Sequence, residues 1–313
     1  MNMVDLFGDQ VMPEQHGSKL GGDWDYPPFS VLNGRDGWWQ ERKREWLSLG
    51  MKSEVGRENS LDGENLTFVR GDRDFSDLDE TSQKILNAGN GTSIFDPVVC
   101  ELAYRWFCPP GGQIIDPFAG GSVRGIVASH LGRKYVGVEL RREQVEANMN
   151  QIHIAADPKP DWRNADSRDI ARACFDVQAD MIFSCPPYAD LEVYSDDPAD
   201  ISTLPYDDFL ESYRHIIKET CSLLRDNSFA CFVVGDVRDK KGNYRNFTGD
   251  TVEAFRSAGL HFYNEAILVT AVGSVSLRAG KQFASSRKLG KTHQNVLVFV
   301  KGDGKKATQA MKA

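Results

Sequence analysis

From Ile94 onward, apolar and polar positions alternate in blocks of strand and helix length. Pro97 to Phe107 places Val98, Leu102, Ala103 and Trp106 on one side of a helix. Short continuous apolar runs follow at 113–115, Tyr135–Val138, 181–184 and Phe229–Val234, and a weaker one precedes Asn164. Helical stretches separate them: Val123–Leu131 stopped by Gly132, Arg142–Ala155, and the long Tyr206–Leu224. A helix over Thr251–Ala258 then leads to two final strands, Phe262–Thr270 and Asn295–Val300, with a basic loop, Ser276–His293, between them. Strand–helix alternation of this kind predicts an α/β fold with a doubly wound, mostly parallel sheet. Without a crossover helix between them, the last two strands are expected to pair antiparallel at the sheet edge.

The first ninety residues follow a different pattern. Strand-like runs are nearly absent, and the one helix candidate, Trp38–Leu49, ends at Gly50. Its tryptophans, Trp38, Trp39 and Trp46, are expected to pack it onto the main domain. Ser53–Asn90 is polar and reads as loop or partly disordered chain. The organisation is therefore an irregular N-terminal extension over 1–92, a main domain over 93–302 and a basic tail over 303–313.

Composition narrows the classes. The 313 residues are 41% hydrophobic and 26% charged, ordinary for a globular protein, and no apolar run reaches membrane-span length. No basic segment followed by an apolar stretch opens the chain, so a cytoplasmic location is expected. The six cysteines show no CxxC pair and no metal spacing, which points to buried reduced thiols and no metal. Net charge is −8, yet 278–306 carries Arg278, Lys281, Arg287, Lys288, Lys291, Lys301, Lys305 and Lys306 against the single acid Asp303. Such a segment is either a solvated face or an edge that tracks phosphates.

Two turns carry the chemistry. Asp116-Pro117-Phe118-Ala119-Gly120-Gly121-Ser122 follows the strand at 113–115, and Ser184-Cys185-Pro186-Pro187-Tyr188 follows the one at 181–184. Ligands of open α/β sheets bind beyond the carboxyl ends of the strands, so the pair suggests one crevice with two compartments. Glu139 lies nineteen positions after Gly120, where an acid can accept from both hydroxyls of a ribose. Asp166 ends the next strand and could accept from an adenine amine. The turn Gly120-Gly121-Ser122-Val123-Arg124-Gly125 is not G-x-G-x-x-G, and no Walker string is present. A carboxylate at Asp116 would repel a pyrophosphate but suits an ammonium and a sulfonium, hence S-adenosylmethionine. In the second turn Pro186 and Pro187 lack N–H groups and stiffen the chain. Their carbonyls can accept from an aromatic amine, and Tyr188 offers a ring on which a planar base can stack. The acidic loop Ala189–Leu204, with Tyr194 near its centre, reads as a lid in preference to a plain surface loop.

Ser93-Ile94-Phe95-Asp96-Pro97, the strings IIDPFAGGS, LGRKYVGVEL and SCPPY, and the closing HQNVLVFVK resemble the DNA amino-methyltransferases of the adenine-N6 and cytosine-N4 type. Stand-alone modification methylases of bacteriophages and bacteria are similar. The resemblance spans 93–301, about two-thirds of the chain. It implies a seven-stranded, mostly parallel methyltransferase sheet with a reversed edge strand, S-adenosylmethionine as cofactor, and double-stranded DNA as partner with the target base flipped out. It also implies that Phe95 and Asp96 close over the cofactor's methionine part. Asp116, Phe118, Gly120 and Ser122 then form its loop, with Glu139 at the ribose; Gly121 lies within that loop, and Asp166, from its place at a strand end, is expected to border the pocket. Ser184, Cys185, Pro186, Pro187 and Tyr188 become the catalytic turn.

Two departures matter. The family's turn opens on Asp, Asn or Ser, and here Cys185 stands there, a weak acceptor. This leaves open cytosine C5 methylation through a Cys185 nucleophile, and a binding protein whose turn has decayed; methylation of RNA is a further alternative. No large recognition domain is evident either. DNA contacts are expected from the insert Arg238–Asp250, with Lys240, Lys241, Tyr244 and Arg245, and from Arg278, Lys281, Arg287, Lys288 and Lys291. A second subunit, most simply in a homodimer, could complete recognition.

Overall fold

In the computed structural model, the described residues are 3–4, 10–11, 26–52, 95–188, 195, 197–272 and 275–312, without the side chains of 3–4, 10–11, 277 and 278. The predicted strands and helices of the main domain are all present. They run as β1 (Val31–Asn33), α1 (Gly37–Leu47), α2 (Pro97–Phe107), β2 (Gln113–Asp116), α3 (Val123–His130), β3 (Lys134–Glu139), α4 (Arg142–Met149) and β4 (Asp161–Asn164). After these come α5 (Ile170–Ala173), β5 (Ala179–Ser184), α6 (Tyr206–Ser222), β6 (Leu224–Val234), α7 (Phe247–Ser257), β7 (His261–Val269), α8 (Val275–Ser286), β8 (His293–Lys301) and α9 (Gly304–Ala310). Met3–Val4 and Gln10–Val11 form a separate two-stranded ladder.

The sheet order is β1-β7-β8-β6-β5-β2-β3-β4. Strands β4 to β6 are mutually parallel across the ladder, and β8 runs antiparallel to both β6 and β7. The chain winds outward from β2 through β3 to β4, then returns to place β5 on the other side of β2. That reversal creates a topological switch point between β2 and β5, where α/β sheets open a crevice. Alternation along the strands feeds two cores. Ile114, Met181, Phe183 and Cys231 face α2 and α3, while Ile115, Ile182, Ala230 and Phe232 face α6 and α7.

The structure departs from the sequence expectations in four places. The sheet has eight strands, because β1 from the N-terminal segment adds to β7 in parallel, Val31 to Asn33 opposite Ile267 to Val269. Three residues are too short a run to stand out by periodicity. The basic loop at 276–293 contains α8, whose Phe283 stays 43% exposed; among its described side chains none is buried. The basic tail folds as α9, capped by Asp303 accepting from the N–H groups of Lys305 and Lys306, with Ala307 buried. The helix expected over 142–155 ends at Met149 and continues as a 3₁₀ turn, Ile152–Ile154. The polar stretch 53–90 lies outside the described residues.

Helix α1 is bolted to α2. Trp39 and Trp46 are fully buried, as the tryptophan spacing predicted. Glu101, also fully buried, accepts from Arg42 Nε and Nη2 (2.8 and 2.6 Å), Trp46 Nε1 (2.6 Å) and Arg105 Nε (3.0 Å). Removing one member of such a pair strands a charge in the interior. Glu101→Ala should therefore lower unfolding free energy by about 3–5 kcal/mol in a urea titration. Trp46→Phe, which deletes one bond to a charged acceptor, should cost about 1.5–3 kcal/mol in the same titration.

Candidate active site

The two chemistry-bearing turns sit side by side at the switch point, since Ile114 and Ile115 pair with Met181 and Ile182. Beyond the ends of these strands the Ser184 hydroxyl donates to Asp116 Oδ1 at 2.5 Å. Asp116 is fully buried, and its remaining acceptor positions are also used: Phe118 N on Oδ1 (3.0 Å), and Arg124 Nε (2.6 Å) and Tyr135 Oη (2.8 Å) on Oδ2. Asp116 was expected to face the cofactor's ammonium. With four donors already on its two oxygens it instead acts as the internal anchor of the turn.

Arg124, which the sequence reading passed over, is the hub of this anchor. Its guanidinium reaches Asp116, the Phe118 carbonyl and the Ala119 carbonyl (2.8 Å), and lies 4.9 Å from the centre of the Phe95 ring. One buried side chain thereby holds the glycine turn, touches the Phe95 segment and, through Asp116, reaches Ser184. The Asp116 charge holds the Arg124 guanidinium above its ordinary pKa against the opposing effect of burial. Spacing gave no signal for Arg124, because an arginine eight positions after an aspartate has no diagnostic period.

The cofactor side is built from β2, β3 and β4. Glu139 is half-buried; its Oε2 accepts from Gly120 N and its Oε1 from Arg141 N, both at 2.9 Å. Gly120 adopts φ +50°, a left-handed conformation open to glycine, and Asn148 Nδ2 fixes its carbonyl at 2.7 Å. Gly121 is half-buried beside it, and the buried Ser122 hydroxyl has no hydrogen-bond partner. Phe118 stacks toward Tyr213, their centres 6.1 Å apart. Asp166 caps the turn after β4 and is engaged by Arg168 (2.6 Å). Asp96 caps α2 through Val98 N, while its Oδ2 accepts from Trp39 Nε1 (3.2 Å) and Lys43 Nζ (3.1 Å) of α1. Both acids were expected at the cofactor, and both carry structural bonds. A half-buried carboxylate at the end of β3, a left-handed glycine turn facing it and an orphaned buried hydroxyl fit a ribose-bearing cofactor.

On the substrate side Cys185 is the one half-buried cysteine; the other five are buried. The Tyr188 hydroxyl accepts from Gln294 Nε2 (2.6 Å) and lies 3.6 Å from Cys185 Sγ, and its ring meets Phe247 edge-on at 6.2 Å. Neither Gln294 nor Phe247 was singled out in the sequence; each lies more than fifty residues from the turn, and only the sheet brings them in. Pro186 and Pro187 complete the turn. The lid expected over 189–204 is described only in part, with a 3₁₀ turn at Ile201–Thr203 capped by Asp200, and Tyr194 lies outside the described residues.

Beside the turn, a cleft of about 430 Å³ is lined by Asp236, Tyr244, Asn246, Thr248, Lys291 and His293, among others. Its rim gathers basic groups from two segments. Arg238 stacks on Tyr244 at 3.8 Å, Lys291 Nζ lies 5.7 Å from the same ring, and the Lys288 side chain rests against Gly242. Lys240 and Lys241 are exposed at the tip of this hairpin, and Lys281 and Arg287 are exposed on and after α8. Burial lowers the Lys291 pKa, with Asp236 opposing. Arg245 does not join the rim: its guanidinium packs 4.5 Å from the Tyr206 ring, with Nε and Nη1 buried. The Arg278 side chain lies outside the described residues. Among the described residues there is no cluster of three or more His, Cys, Asp or Glu arranged for a metal, and no helix long and apolar enough to cross a membrane.

No protein-family model matches the chain. Two short curated similarities exist. One is to the DNA adenine methyltransferase YhdJ of Escherichia coli, 36% identical over 47 residues, 15% of this chain and 16% of that protein. The other is to the type II methyltransferase M.SmaI of Serratia marcescens, 31% identical over 64 residues, 20% and 22% of the two. The chain thus aligns with about a fifth or less of the length of these relatives. Among solved structures it is similar to TrmN from Thermus thermophilus, with TM-score 0.45 and 15% identity over 70% of this chain and 53% of that one. The magnesium protoporphyrin IX methyltransferase ChlM from Synechocystis, with bound S-adenosylmethionine, gives TM-score 0.44 and 11% identity over 80% and 98%.

Thiol chemistry offers a direct check of this geometry. Burial pushes Cys174 up to about 11 and Cys108 and Cys221 up to about 12, and raises Cys100 and Cys231 well above the ordinary range. At pH 8 the folded protein should release about one equivalent of thionitrobenzoate rapidly, and Cys185→Ser should abolish that phase. Rapid release of two or more equivalents would contradict the burial described.

Proposed function

We propose that the protein is an S-adenosylmethionine-dependent DNA methyltransferase that methylates an exocyclic amine, adenine N6 or cytosine N4, of a base flipped out of the duplex. The observation that carries this reading is the Ser184–Asp116 hydrogen bond, which joins a ribose-compatible glycine turn to a proline-stiffened, tyrosine-tipped turn across neighbouring strand ends. The short similarities to two DNA methyltransferases support the reaction class.

When bound, S-adenosylmethionine supplies an electrophilic methyl group on its sulfonium. In this reading Glu139, half-buried at the end of β3 and tied to the Gly120 turn, accepts from the ribose hydroxyls. The Ser122 hydroxyl, orphaned and buried at the start of α3, gains a partner when the pocket fills. Phe95, held over Arg124, packs beside the methionine part. Tyr188 stacks on the flipped base, offsetting an extrusion cost of about a few kcal/mol. The Pro186 carbonyl accepts from the amine N–H as the nitrogen becomes positive, and an acceptor aimed at developing charge lowers the barrier. The basic rim of Lys240, Lys241, Lys288 and Lys291 meets the phosphates despite the net negative charge of the chain.

The decisive assay incubates the protein with methyl-labelled S-adenosylmethionine and duplex DNA or RNA, followed by digestion and mass spectrometry of the nucleosides. N6-methyladenine or N4-methylcytosine from DNA is expected, and an absence of methylated deoxynucleosides overturns the reading. A 5-methylcytosine product that vanishes in Cys185→Ser would move the chemistry to a thiolate nucleophile. Glu139→Ala should weaken cofactor binding about 10- to 100-fold by calorimetry, the worth of hydrogen bonds to a charged group. Lys240→Ala/Lys241→Ala should weaken duplex binding and flatten its salt dependence, read as the slope of log affinity against log salt.

A further inference from the structure

Two prolines fix the backbone of the catalytic turn, but they do not fix the side chains on either side of them. Tyr188 has two rotatable side-chain bonds, and Cys185 has a thiol that can point several ways. The structure supplies what holds both. Gln294 lies on β8, a strand paired on both flanks by β6 and β7. Its amide Nε2 donates to the Tyr188 hydroxyl at 2.6 Å, and the same hydroxyl lies 3.6 Å from Cys185 Sγ. Alternation along β8 sends Gln294 to this side, while the next residue, Asn295, bonds Glu265 at 2.6 Å. Gly235, at the end of β6, leaves the space between: a Cβ there would sit about 4 Å from Tyr188 Cζ and 3.9 Å from both Gln294 Cγ and Lys291 Nζ.

We propose that Gln294 is a positioning residue of the catalytic turn, setting the Tyr188 ring and, through the Tyr188 hydroxyl, the orientation of the Cys185 thiol. The inference rests on the assignment of 184–188 as the catalytic turn. It accounts for a cysteine where stronger acceptors are usual. A thiol is a poor hydrogen-bonding group with little orientational preference of its own. Coupled to a hydroxyl that a rigid strand holds in place, its sulfur is presented in one direction. The phenol serves both purposes, ring for the base and hydroxyl for the thiol, so a tyrosine and not a phenylalanine is needed at 188.

The test is a double-mutant cycle read without any nucleic acid. Gln294→Leu, Tyr188→Phe and the double variant are compared for the rate at which Cys185 reacts with dithionitrobenzoate at pH 8. Each single change should alter that rate about threefold or more in the same direction, and the double should match either single, since both cut one connection. Additive effects, or single variants that label like the wild type, overturn the proposal, because a Gln294 that merely packs would not act through the hydroxyl. Gln294→Met replaces Gln294→Leu if the latter does not fold, with thermal melting and cofactor affinity as controls. In methylation assays Gln294→Leu should lower kcat about tenfold with cofactor affinity unchanged. If the wild type methylates no DNA, the function proposed above fails while the thiol cycle still decides the role of Gln294.

Discussion

A single buried ion pair, Asp116 with Arg124, organises the crevice. Its 2.6 Å contact lies beneath the ends of β2 and β5, with the acid fully buried and the guanidinium nearly so. A pair of this kind holds only when its remaining donors and acceptors are also satisfied. Here Tyr135, Ser184 and the Phe118 N–H complete the acid, and Nη2 of the guanidinium reaches two loop carbonyls. The shape of the glycine turn, the placement of Phe95 and the entry of the chain into the proline turn all follow from this one constellation. Asp116 and Arg124 carry the structural work behind the two turns, and Glu139 and Tyr188 stand half-buried in front of them.

The extent to which this was legible in the sequence divides along physical lines. Strands at the centre of the sheet were plain, because burial on both faces makes them continuous apolar runs flanked by turn residues. The glycine and proline turns were plain for a related reason, since unusual backbone demands select unusual residues. Arg124, Tyr135, Asn148 and Gln294 were not, because a hydrogen bond between distant segments leaves no periodic trace. Asp96, Asp116 and Asp166 illustrate the converse difficulty. A carboxylate at a strand or helix end reads equally well as a ligand group or as a cap and anchor, and in the structure their neighbours' N–H and guanidinium groups give all three a structural role.

Charge behaves in the same divided way. The net value of −8 describes the chain, but a ligand meets a surface, and here two remote segments converge to form a basic rim around Tyr244. The count of lysines and arginines between 278 and 306 could not show that Arg238 of the other segment stacks on that tyrosine, nor that Arg245 turns inward. An arginine stem can pack on an aromatic face as readily as its head can seek a phosphate.

The parallel pairing of β1 with β7 has a consequence for how the chain is made. Val31 waits for Ile267, more than two hundred residues downstream, and at ribosomal speed that interval is about 10–50 s. The helix that follows β1 has its own partner much sooner, since Arg42 and Trp46 need only Glu101. The nascent protein can therefore dock its tryptophans against α2 early and hold the short strand in reserve. The sheet can then be closed at that edge by a segment that left the ribosome well before its partner strand.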